Sequence, residues 1–360
     1  MKTLFLLICL LASSQLSFSQ SQKTENLVVV VLDGMRWQEI FGGADSALIN
    51  NPKFTKNKNR IQNRFWDNDF KVRREKLFPF LWKTVGGNGQ MYGNRYLQNF
   101  VNVSNPFQFT YPGFSEMLTG YADPAISSNR LVVSKSQNVL EFINRQKGFE
   151  GKVALFATSD LFPFLMDKKN SKVYINSDSD SLAFESREFR LLNEMQQLSS
   201  KPTTERPDLL TYFAAREYVK AFKPRVLYLA LGETDAFAHE GNYDQYLETA
   251  KAEDKMISEL WNLMQSIPQY KNKTTLLLTC DHGRGDLTKE QWVGHGPLIK
   301  DSGQIWIAAM GPDTKPASAF TEKGQLYQAQ LASTMAAILG FEFKPETHQA
   351  MTPIFSIFRK

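Results

Sequence analysis

Short runs of branched and other apolar residues recur along the chain, and stretches with apolar residues at three- and four-residue spacing lie between them. The runs are typical of buried parallel strands, and the spacing is typical of amphipathic helices. Their alternation predicts an α/β fold with a mostly parallel central sheet covered on both faces, a three-layer α/β/α sandwich. The predicted strands are residues 27–32, 152–157, 225–231, 274–279 and 304–309, and the predicted helices are residues 138–145, 207–221, 246–264 and 325–339.

Three of the predicted strands end in residues of metal-ligand type. In the segment VVVVLDG, Asp33 directly follows the apolar residues. The segment LALGETDAFAHEG contains Asp235 and His239, four residues apart, and a single helical turn would bring both side chains to one face. Asp281 and His282 directly follow the run TLLLTC. Because ligands of an open α/β sheet bind beyond the carboxyl ends of its strands, we expect these groups to meet at one edge.

The histidines are concentrated in these segments. The chain has four histidines, and His239, His282 and His295 (in VGHGP) lie in or just after them, whereas His348 is interpreted as an ordinary histidine. Zinc binds imidazole nitrogen and carboxylate oxygen, mostly with four ligands. Six groups are too many for one tetrahedral ion and suit a pair, which can clamp the two oxygens of an in-line displacement. The six are Asp33, Asp235, His239, Asp281, His282 and His295.

The segment NPFQFTYPGFSEMLTG offers a nucleophile, Thr110. The residues after it, 111–113, are predicted to form a turn, and residues 114–118 to start a helix. A hydroxyl at a helix N-terminus gains from the helix dipole and from free backbone N–H groups. Without the metal motifs, Thr110 would be read as a helix N-cap. Ser104 and Ser115 are rival hydroxyls of lower rank.

In this order, the segments VVLDG, FTYPGFSEMLTG, DAFAH, CDHGRG and GHGP resemble the alkaline phosphatase superfamily. The nearest branch resembles the nucleotide pyrophosphatase/phosphodiesterase group, whose motif has Thr, an aromatic residue and Pro, then Thr-Gly nine residues on. The resemblance covers roughly residues 26–340, and the segment LASTMAAILG is similar to the family's final helix. The residues that match the nucleophile motif are Thr110, Tyr111, Pro112, Thr119 and Gly120.

The resemblance implies an alkaline phosphatase-like fold and two zinc ions held by two sets of residues. It also implies an Asn that holds a phosphoryl oxygen, for which Asn129 is the candidate, about two residues closer to Thr110 than in the family. Gly113 departs from the phosphodiesterase branch, which commonly has Asn there. The implied ligands are Asp235, His239 and His295 for one zinc, and Asp33, Thr110, Asp281 and His282 for the other.

The reaction that the resemblance implies is phosphoester hydrolysis, most closely of phosphodiesters or nucleotide pyrophosphates, through a phosphothreonine on Thr110. A phosphomonoesterase of the same superfamily is the nearest alternative. Such sites usually add a cation, and Arg36, Lys168 and Arg284 are candidates, although surface roles are favoured for each. A sulfatase is disfavoured, because that branch converts Cys or Ser into formylglycine. A non-catalytic binding protein on this scaffold is the alternative from another class.

Residues 1–20 have the pattern of a secretory signal: Lys2, an apolar run over residues 4–12, then Ser17-Phe18-Ser19. The run is too short for a stable membrane span. We therefore expect an exported protein, periplasmic or secreted, whose residues 21–360 form a single catalytic domain without a membrane span. Cys280 would be its one cysteine, so no intrachain disulfide is expected.

Charge gives weak guidance about partners. The 42 Lys and Arg exceed the 37 Asp and Glu by five, which is too little to favour a nucleic-acid partner. The expected partner is a small phosphoester substrate, and the oligomeric state is left open. Residues 50–76 contain nine basic and three acidic residues. We interpret them as a basic surface insert, with a rim that attracts anionic substrate as the alternative.

Overall fold

The computed structural model describes residues 23–200, 205–316 and 323–359, so the predicted signal at residues 1–20 lies outside the described residues. Its strands form one sheet of seven strands and one of three. The strands are β1 (Asn26–Leu32), β2 (Gln90–Tyr92), β3 (Asn99–Asn102), β4 (Val153–Ala157), β5 (Tyr174–Ser177), β6 (Val226–Leu231), β7 (Thr274–Thr279), β8 (Gln304–Ile305), β9 (Ile307–Met310) and β10 (Gly324–Tyr327).

The larger sheet has the order β2-β9-β7-β1-β6-β4-β5, which places β1 at its centre. β1 is parallel to both of its neighbours, with Leu27 opposite Val226 on one side and Thr275 on the other. β9 is the one strand of this sheet that runs in the opposite direction to the other six. All seven residues of β1 are buried, as expected for a parallel strand covered on both faces. The predicted mostly parallel α/β fold is confirmed.

Helices cover both faces of the sheet. The connection from β4 to β5 runs along the sheet in the opposite direction to those from β5 to β6 and from β6 to β7. Because such crossovers are right-handed, their helices lie on opposite faces. The helices are α1 (Trp37–Gly42), α2 (Ser46–Ile49), α3 (Lys58–Phe65), α4 (Phe70–Leu77), α5 (Gly86–Asn88), α6 (Thr110–Thr119), α7 (Val139–Asn144), α8 (Phe162–Leu165), α9 (Arg187–Leu198), α10 (Asp208–Phe222), α11 (Glu233–His239), α12 (Tyr243–Ser266) and α13 (Gln330–Ile338).

The predicted strand at residues 304–309 is wrong as one element, because the chain changes sheets at Trp306. Ile305 pairs with β3 in the small sheet, and Ile307 pairs with β7 in the large one. The Trp306 ring donates to the carbonyl of Met35, and its own carbonyl accepts from the hydroxyl of Thr279. These bonds fix the point at which the chain leaves one sheet for the other.

The predicted helix at residues 325–339 begins later than expected. Residues 324–327 form β10, which pairs with β3, and α13 starts only at Gln330. Over four residues, an apolar residue between polar ones fits a strand as well as a helix. The pairing with β3 therefore decides that residues 324–327 form a strand.

Residues 50–76 include the short helix α3 and all but the last residue of α4. Phe54, Ile61 and Phe65 are buried in the core, whereas most of the basic side chains are exposed or half-buried. The segment therefore covers part of the core and turns its charges outward. Among the described residues, no helix has the length and apolar character needed to cross a membrane.

Candidate metal centre and nucleophile

The carboxyl ends of three adjacent strands bring the predicted ligands together. Asp33 directly follows the central strand β1. On one side of it, β6 leads into α11, which carries Asp235 and His239 one turn apart. On the other side, β7 is followed by Cys280 and then by Asp281 and His282. Since the three strands are parallel, their ends meet at one edge of the sheet.

Asp33, Asp281 and His282 form one group of possible metal ligands. The His282 Nε2 atom lies 3.3 Å from Asp33 Oδ1 and 3.4 Å from Asp281 Oδ2. Two ligand atoms that each lie about 2.0–2.2 Å from a tetrahedral ion are about 3.3–3.6 Å apart. The separations in this group therefore fit a shared ion.

Asp235, His239 and His295 lie next to this group. His239 Nε2 is 3.2 Å from Asp235 Oδ2 and 3.0 Å from His295 Nε2, and His295 Nε2 is 3.9 Å from Asp235 Oδ1. His282 joins the two groups, because its ring stacks on that of His295 and its Nε2 lies 3.7 Å from Asp235 Oδ1. His239 is the most exposed ligand candidate, with 47% of its side chain accessible.

Backbone carbonyls fix the orientation of two imidazoles. The Nδ1 of His282 lies 3.0 Å from the carbonyl oxygen of Gly283, and the Nδ1 of His295 lies 2.9 Å from that of Gln108. A carbonyl only accepts, so each Nδ1 carries the proton and each Nε2 keeps a lone pair. Burial lowers the pKa of His282 well below its usual value and that of His295 to about 4, so both rings are neutral near pH 7.

One carboxylate oxygen each of Asp33 and Asp281 has no hydrogen-bond donor to face in the described part of the chain. These two atoms, Asp33 Oδ1 and Asp281 Oδ2, are both buried. Burial and then the neighbouring carboxylates raise the pKa of Asp33 well above its usual value and that of Asp281 to about 7. The lone pairs of Asp33 Oδ1, Asp281 Oδ2 and His282 Nε2 thus point toward one another. A divalent cation bound between these atoms would stabilise the arrangement.

Arg284 is a residue of this site whose role the sequence did not indicate. It is almost fully buried, and its Nη2 donates to both the side chain and the carbonyl of Asp235. Burial alone would raise the pKa of Asp235, but Arg284 and then the neighbouring histidines lower it well below the usual value. Arg284 therefore holds Asp235 ionised and in place, in the way that residues behind metal ligands often do.

Thr110 lies beside the buried ligands. It is the first residue of α6, and its Oγ1 is 3.3 Å from His282 Nε2. The predicted turn at residues 111–113 is wrong, since these residues belong to α6. Pro112 is tolerated there because the N–H groups of a first helical turn have no partner within the helix. The N-cap is Phe109 and carries no side-chain cap, so the alternative role of Thr110 as an N-cap is also wrong.

Asn129 contacts the same helix N-terminus. Its Oδ1 accepts a hydrogen bond of 2.9 Å from the N–H of Tyr111. A backbone N–H only donates, so the Nδ2 of Asn129 remains as the donor of this side chain. Asn129 and Thr110 both line a cavity of about 410 Å³. His348 lies elsewhere, stacked on Tyr121 and bonded to the carbonyl of Thr119.

The walls of this cavity are acidic, and no Lys or Arg is found among its described lining residues. Asp160, Glu205 and Glu240 stand in the wall next to the ligand candidates. Burial, opposed by a bond from Ser159, raises the pKa of Glu205 to about 7. The spacing of these three acids gave no signal in the sequence, because they come from separate loops and the end of a helix. The complete lining is Asp33, Thr110, Asn129, Leu131, Ser159, Asp160, Leu161, Glu205, Gly232, Asp235, Ala236, His239 and Glu240.

The three candidate cations for a phosphomonoester have other partners. Arg36 and Arg284 are buried, so the surface roles favoured for them are wrong. Arg36 pairs with Glu39, and Arg284 pairs with Asp235. Lys168 lies 2.5 Å from a carboxylate oxygen of Asp180. None of the three belongs to the described lining of the cavity beside Thr110.

Imidazole and carboxylate groups beyond the carboxyl ends of a mostly parallel sheet, next to a hydroxyl at a helix N-terminus, define an alkaline phosphatase-like hydrolase. A family model, type I phosphodiesterase / nucleotide pyrophosphatase, matches residues 50–338. The chain belongs to this family, and its fold is alkaline phosphatase-like. It is a phosphoester hydrolase, and its described residues include two groups that could hold a metal ion. Asp33 precedes the matched residues. Comparison with curated proteins gives no significant match.

Solved structures with the same fold include three that illustrate its range. The alkaline phosphatase PafA has a TM-score of 0.59 and 11% identity, with 94% of this chain and 99% of that chain covered. The murine ectonucleotide pyrophosphatase/phosphodiesterase 5 has a TM-score of 0.53 and 12% identity, with 93% and 100% covered. A 2-O GAG sulfatase has a TM-score of 0.56 and 10% identity, with 93% and 74% covered. At these identities the likeness establishes the fold, and the reaction depends on the site.

Proposed function

We propose that this protein is a two-zinc phosphodiesterase that acts through a phosphothreonine on Thr110. The observation that carries the proposal is the position of the Thr110 hydroxyl, 3.3 Å from His282 Nε2 at the N-terminus of α6. Asp33, Asp281 and His282 would hold one ion together with Thr110. Asp235, His239 and His295 would hold the other. Bound zinc would supply Lewis acidity, which lowers the pKa of a hydroxyl or water and stabilises developing negative charge.

The reaction would proceed in two displacements. Thr110 Oγ1 gives up its proton and bonds to phosphorus, while the opposite P–O bond breaks and the departing alcohol takes up a proton. Water then attacks the phosphothreonine, which releases a phosphomonoester and restores the Thr110 hydroxyl. Asn129 Nδ2 and the backbone N–H of Thr110 would donate to the non-bridging oxygens, where fixed donors stabilise the transition state.

The electrostatics of the cavity favour a diester over a monoester. A phosphomonoester brings an additional negative charge at neutral pH, and its sites usually add a cation. In the described lining of this cavity, Asp160, Glu205 and Glu240 take the place of such a cation. A monoester dianion is therefore repelled more strongly than a diester monoanion.

Replacement of Thr110 by Ala tests the nucleophile. We expect turnover of bis-p-nitrophenyl phosphate to fall by at least about a thousandfold, because the covalent route is lost. Zinc content, measured by mass spectrometry, should stay near that of the wild type. Ser115→Ala is the matched control, since Ser115 is a buried hydroxyl on the same helix outside the cavity. Full activity of Thr110→Ala would exclude Thr110 as the nucleophile.

Substrate preference tests the reaction class. We expect a higher kcat/KM for bis-p-nitrophenyl phosphate than for p-nitrophenyl phosphate, since only the latter carries the second negative charge. The opposite ranking would favour a phosphomonoesterase. A protein that contains no zinc and hydrolyses neither substrate would favour the non-catalytic binding protein.

We also infer that the protein is exported, periplasmic or secreted, and that residues 21–360 form one catalytic domain. The support for export is the charged, apolar and small-residue order of residues 1–20. N-terminal sequencing of the mature protein checks it, and retention of Met1 or Lys2 would contradict cleavage.

A further inference from the structure

A second cavity lies apart from the one beside Thr110. Its volume is about 530 Å³, and α1, α4 and the segment around β2 supply its walls. It shares no lining residue with the cavity beside Thr110, so a ligand here need not be the substrate. The lining is Phe41, Gly42, Phe70, Lys71, Arg73, Arg74, Trp82, Met91, Asn94, Tyr96 and Leu97.

The walls of this second cavity are apolar and partly exposed. Phe70, Tyr96 and Leu97 have 45%, 66% and 42% of their surfaces accessible. Side chains that served only to pack α4 on the core would be covered, because large exposed apolar surface is unfavourable in water. Their clustering around one cavity therefore favours a ligand with an apolar body.

The charged side chains found in the described lining of the second cavity are all basic. Lys71, Arg73 and Arg74 line it, and no Asp or Glu is found among its described lining residues. Arg73 already has partners, because it donates to the carbonyls of Gly42 and Asp67. Arg74 differs from Arg73 in this respect.

Arg74 is charged, and its buried Nε has no hydrogen-bond acceptor among the described residues. Its guanidinium carbon lies 3.3 Å from the centre of the Trp82 ring and 5.3 Å from that of Phe70. A buried donor such as this Nε is unfavourable unless something accepts from it. The aromatic rings hold the guanidinium in place, ready for an anionic group.

We propose that this cavity binds a small organic anion with an apolar body, such as an alkyl or aryl carboxylate. The anionic group would accept from Arg74, with Lys71 adding attraction at the rim. The apolar body would lie against Phe70, Tyr96 and Leu97. This binding site is independent of the phosphodiesterase proposal, because it uses none of the residues assigned to hydrolysis.

Calorimetric titration of the zinc-loaded protein with octanoate, below its micelle-forming concentration, tests the site. We expect saturable binding, and weaker binding of both octanol and octyltrimethylammonium. Arg74→Leu should weaken octanoate binding by at least about tenfold, as for loss of a charge-assisted hydrogen bond. Arg60→Leu is the matched control: it removes the same charge from the neighbouring helix α3 at an exposed position outside the cavity. It should bind octanoate like the wild type.

Tyr96→Ala supplies a second, independent variant that removes the apolar wall and leaves Arg74. We expect it to weaken octanoate binding too, with an unchanged circular dichroism spectrum. Equal octanoate affinity in wild type and Arg74→Leu would place the anion elsewhere, for example at the zinc centre, and would overturn the proposal. Binding of octyltrimethylammonium as tightly as octanoate, or no octanoate binding by the wild type, would also overturn it.

Discussion

Gly113 lies in the first turn of α6, directly against the backbone of Asp281. A Cβ built on Gly113 would lie 2.5 Å from the carbonyl oxygen of Asp281. Real Cβ atoms do not approach a backbone oxygen so closely, so any side chain here forces α6 away from Asp281 and His282. The departure from Asn, which the phosphodiesterase branch commonly has at this position, therefore has a steric reason in this chain.

The variant Gly113→Ala tests this contact. We expect a loss of about 1–3 kcal/mol of unfolding free energy from overpacking, together with reduced zinc content, because Asp281 and His282 shift with the displaced backbone. Urea denaturation and metal analysis measure the two effects. Gly87→Ala is the control, since a Cβ there meets no atom within 4 Å. Equal losses in both variants would argue against the Gly113–Asp281 contact.

Sequence reasoning reached some residues of the site and missed others for a physical reason. Asp33 and His282 closely follow apolar strands. Their place at the carboxyl edge of the sheet could therefore be predicted from the local sequence. Arg284 reaches Asp235 and Glu205 enters the cavity wall only through the paths of loops. A loop path depends on packing across the whole molecule, and no local spacing encodes it.

At the scale of elements, Asp254 links α12 to the short π-helix at Leu81–Val85. Its carboxylate accepts hydrogen bonds of 2.8 and 2.9 Å from the N–H groups of Phe80 and Leu81. Burial outweighs these bonds and raises the pKa of Asp254 to about 6. The carboxyl group is thus held in a place where its charged form is disfavoured.

This raised pKa predicts a pH dependence that Asp254→Asn should remove. Between about pH 4 and 6 the unfolded chain loses this proton before the folded protein does, so the stabilisation present below pH 4 disappears as the pH rises through 6. Relative to the variant, the wild type should lose up to about 3 kcal/mol of unfolding free energy over this range. Urea denaturation from pH 4 to 7.5 measures it. A pH-independent difference between the two proteins would contradict the assignment.

Elements were predictable where one pattern persists over enough residues. The run at residues 27–32 and the long helix α12 have unambiguous periodicity and were found. The sheet change at Trp306 and the strand β10 depend on pairing with β3, whose residues lie about two hundred positions earlier in the chain. Long-range pairing of this kind overrides local pattern, so these elements could not be read from the sequence.

At the scale of the whole molecule, the converging carboxylates predict that metal removal destabilises the fold. An ion that binds only the folded state and is present at a thousand times its Kd adds about 4 kcal/mol to the free energy of unfolding. For a chain of this length, this corresponds to a melting temperature higher by roughly 6 °C. Chelation should lower the melting temperature by this order, and added zinc should restore it. Differential scanning calorimetry measures the shift.

Two histidine variants sharpen the test of metal removal. His282→Ala should respond less to the chelator than the wild type, because the buried group of Asp33, Asp281 and His282 then lacks one of its ligand candidates. His348→Ala should respond like the wild type, since this histidine lies away from the centre. A wild type that melts at the same temperature with and without chelator would contradict a structural contribution from metal.

The strands β7, β1 and β6, which lead into the ligand candidates, are adjacent at the middle of the sheet and fully buried. Amides in such a place exchange with solvent only when the molecule opens globally, not through fraying of an edge. These three strands therefore take no part in local unfolding. We therefore expect ions and products to enter and leave past the exposed side chain of His239, while the three strands stay fixed.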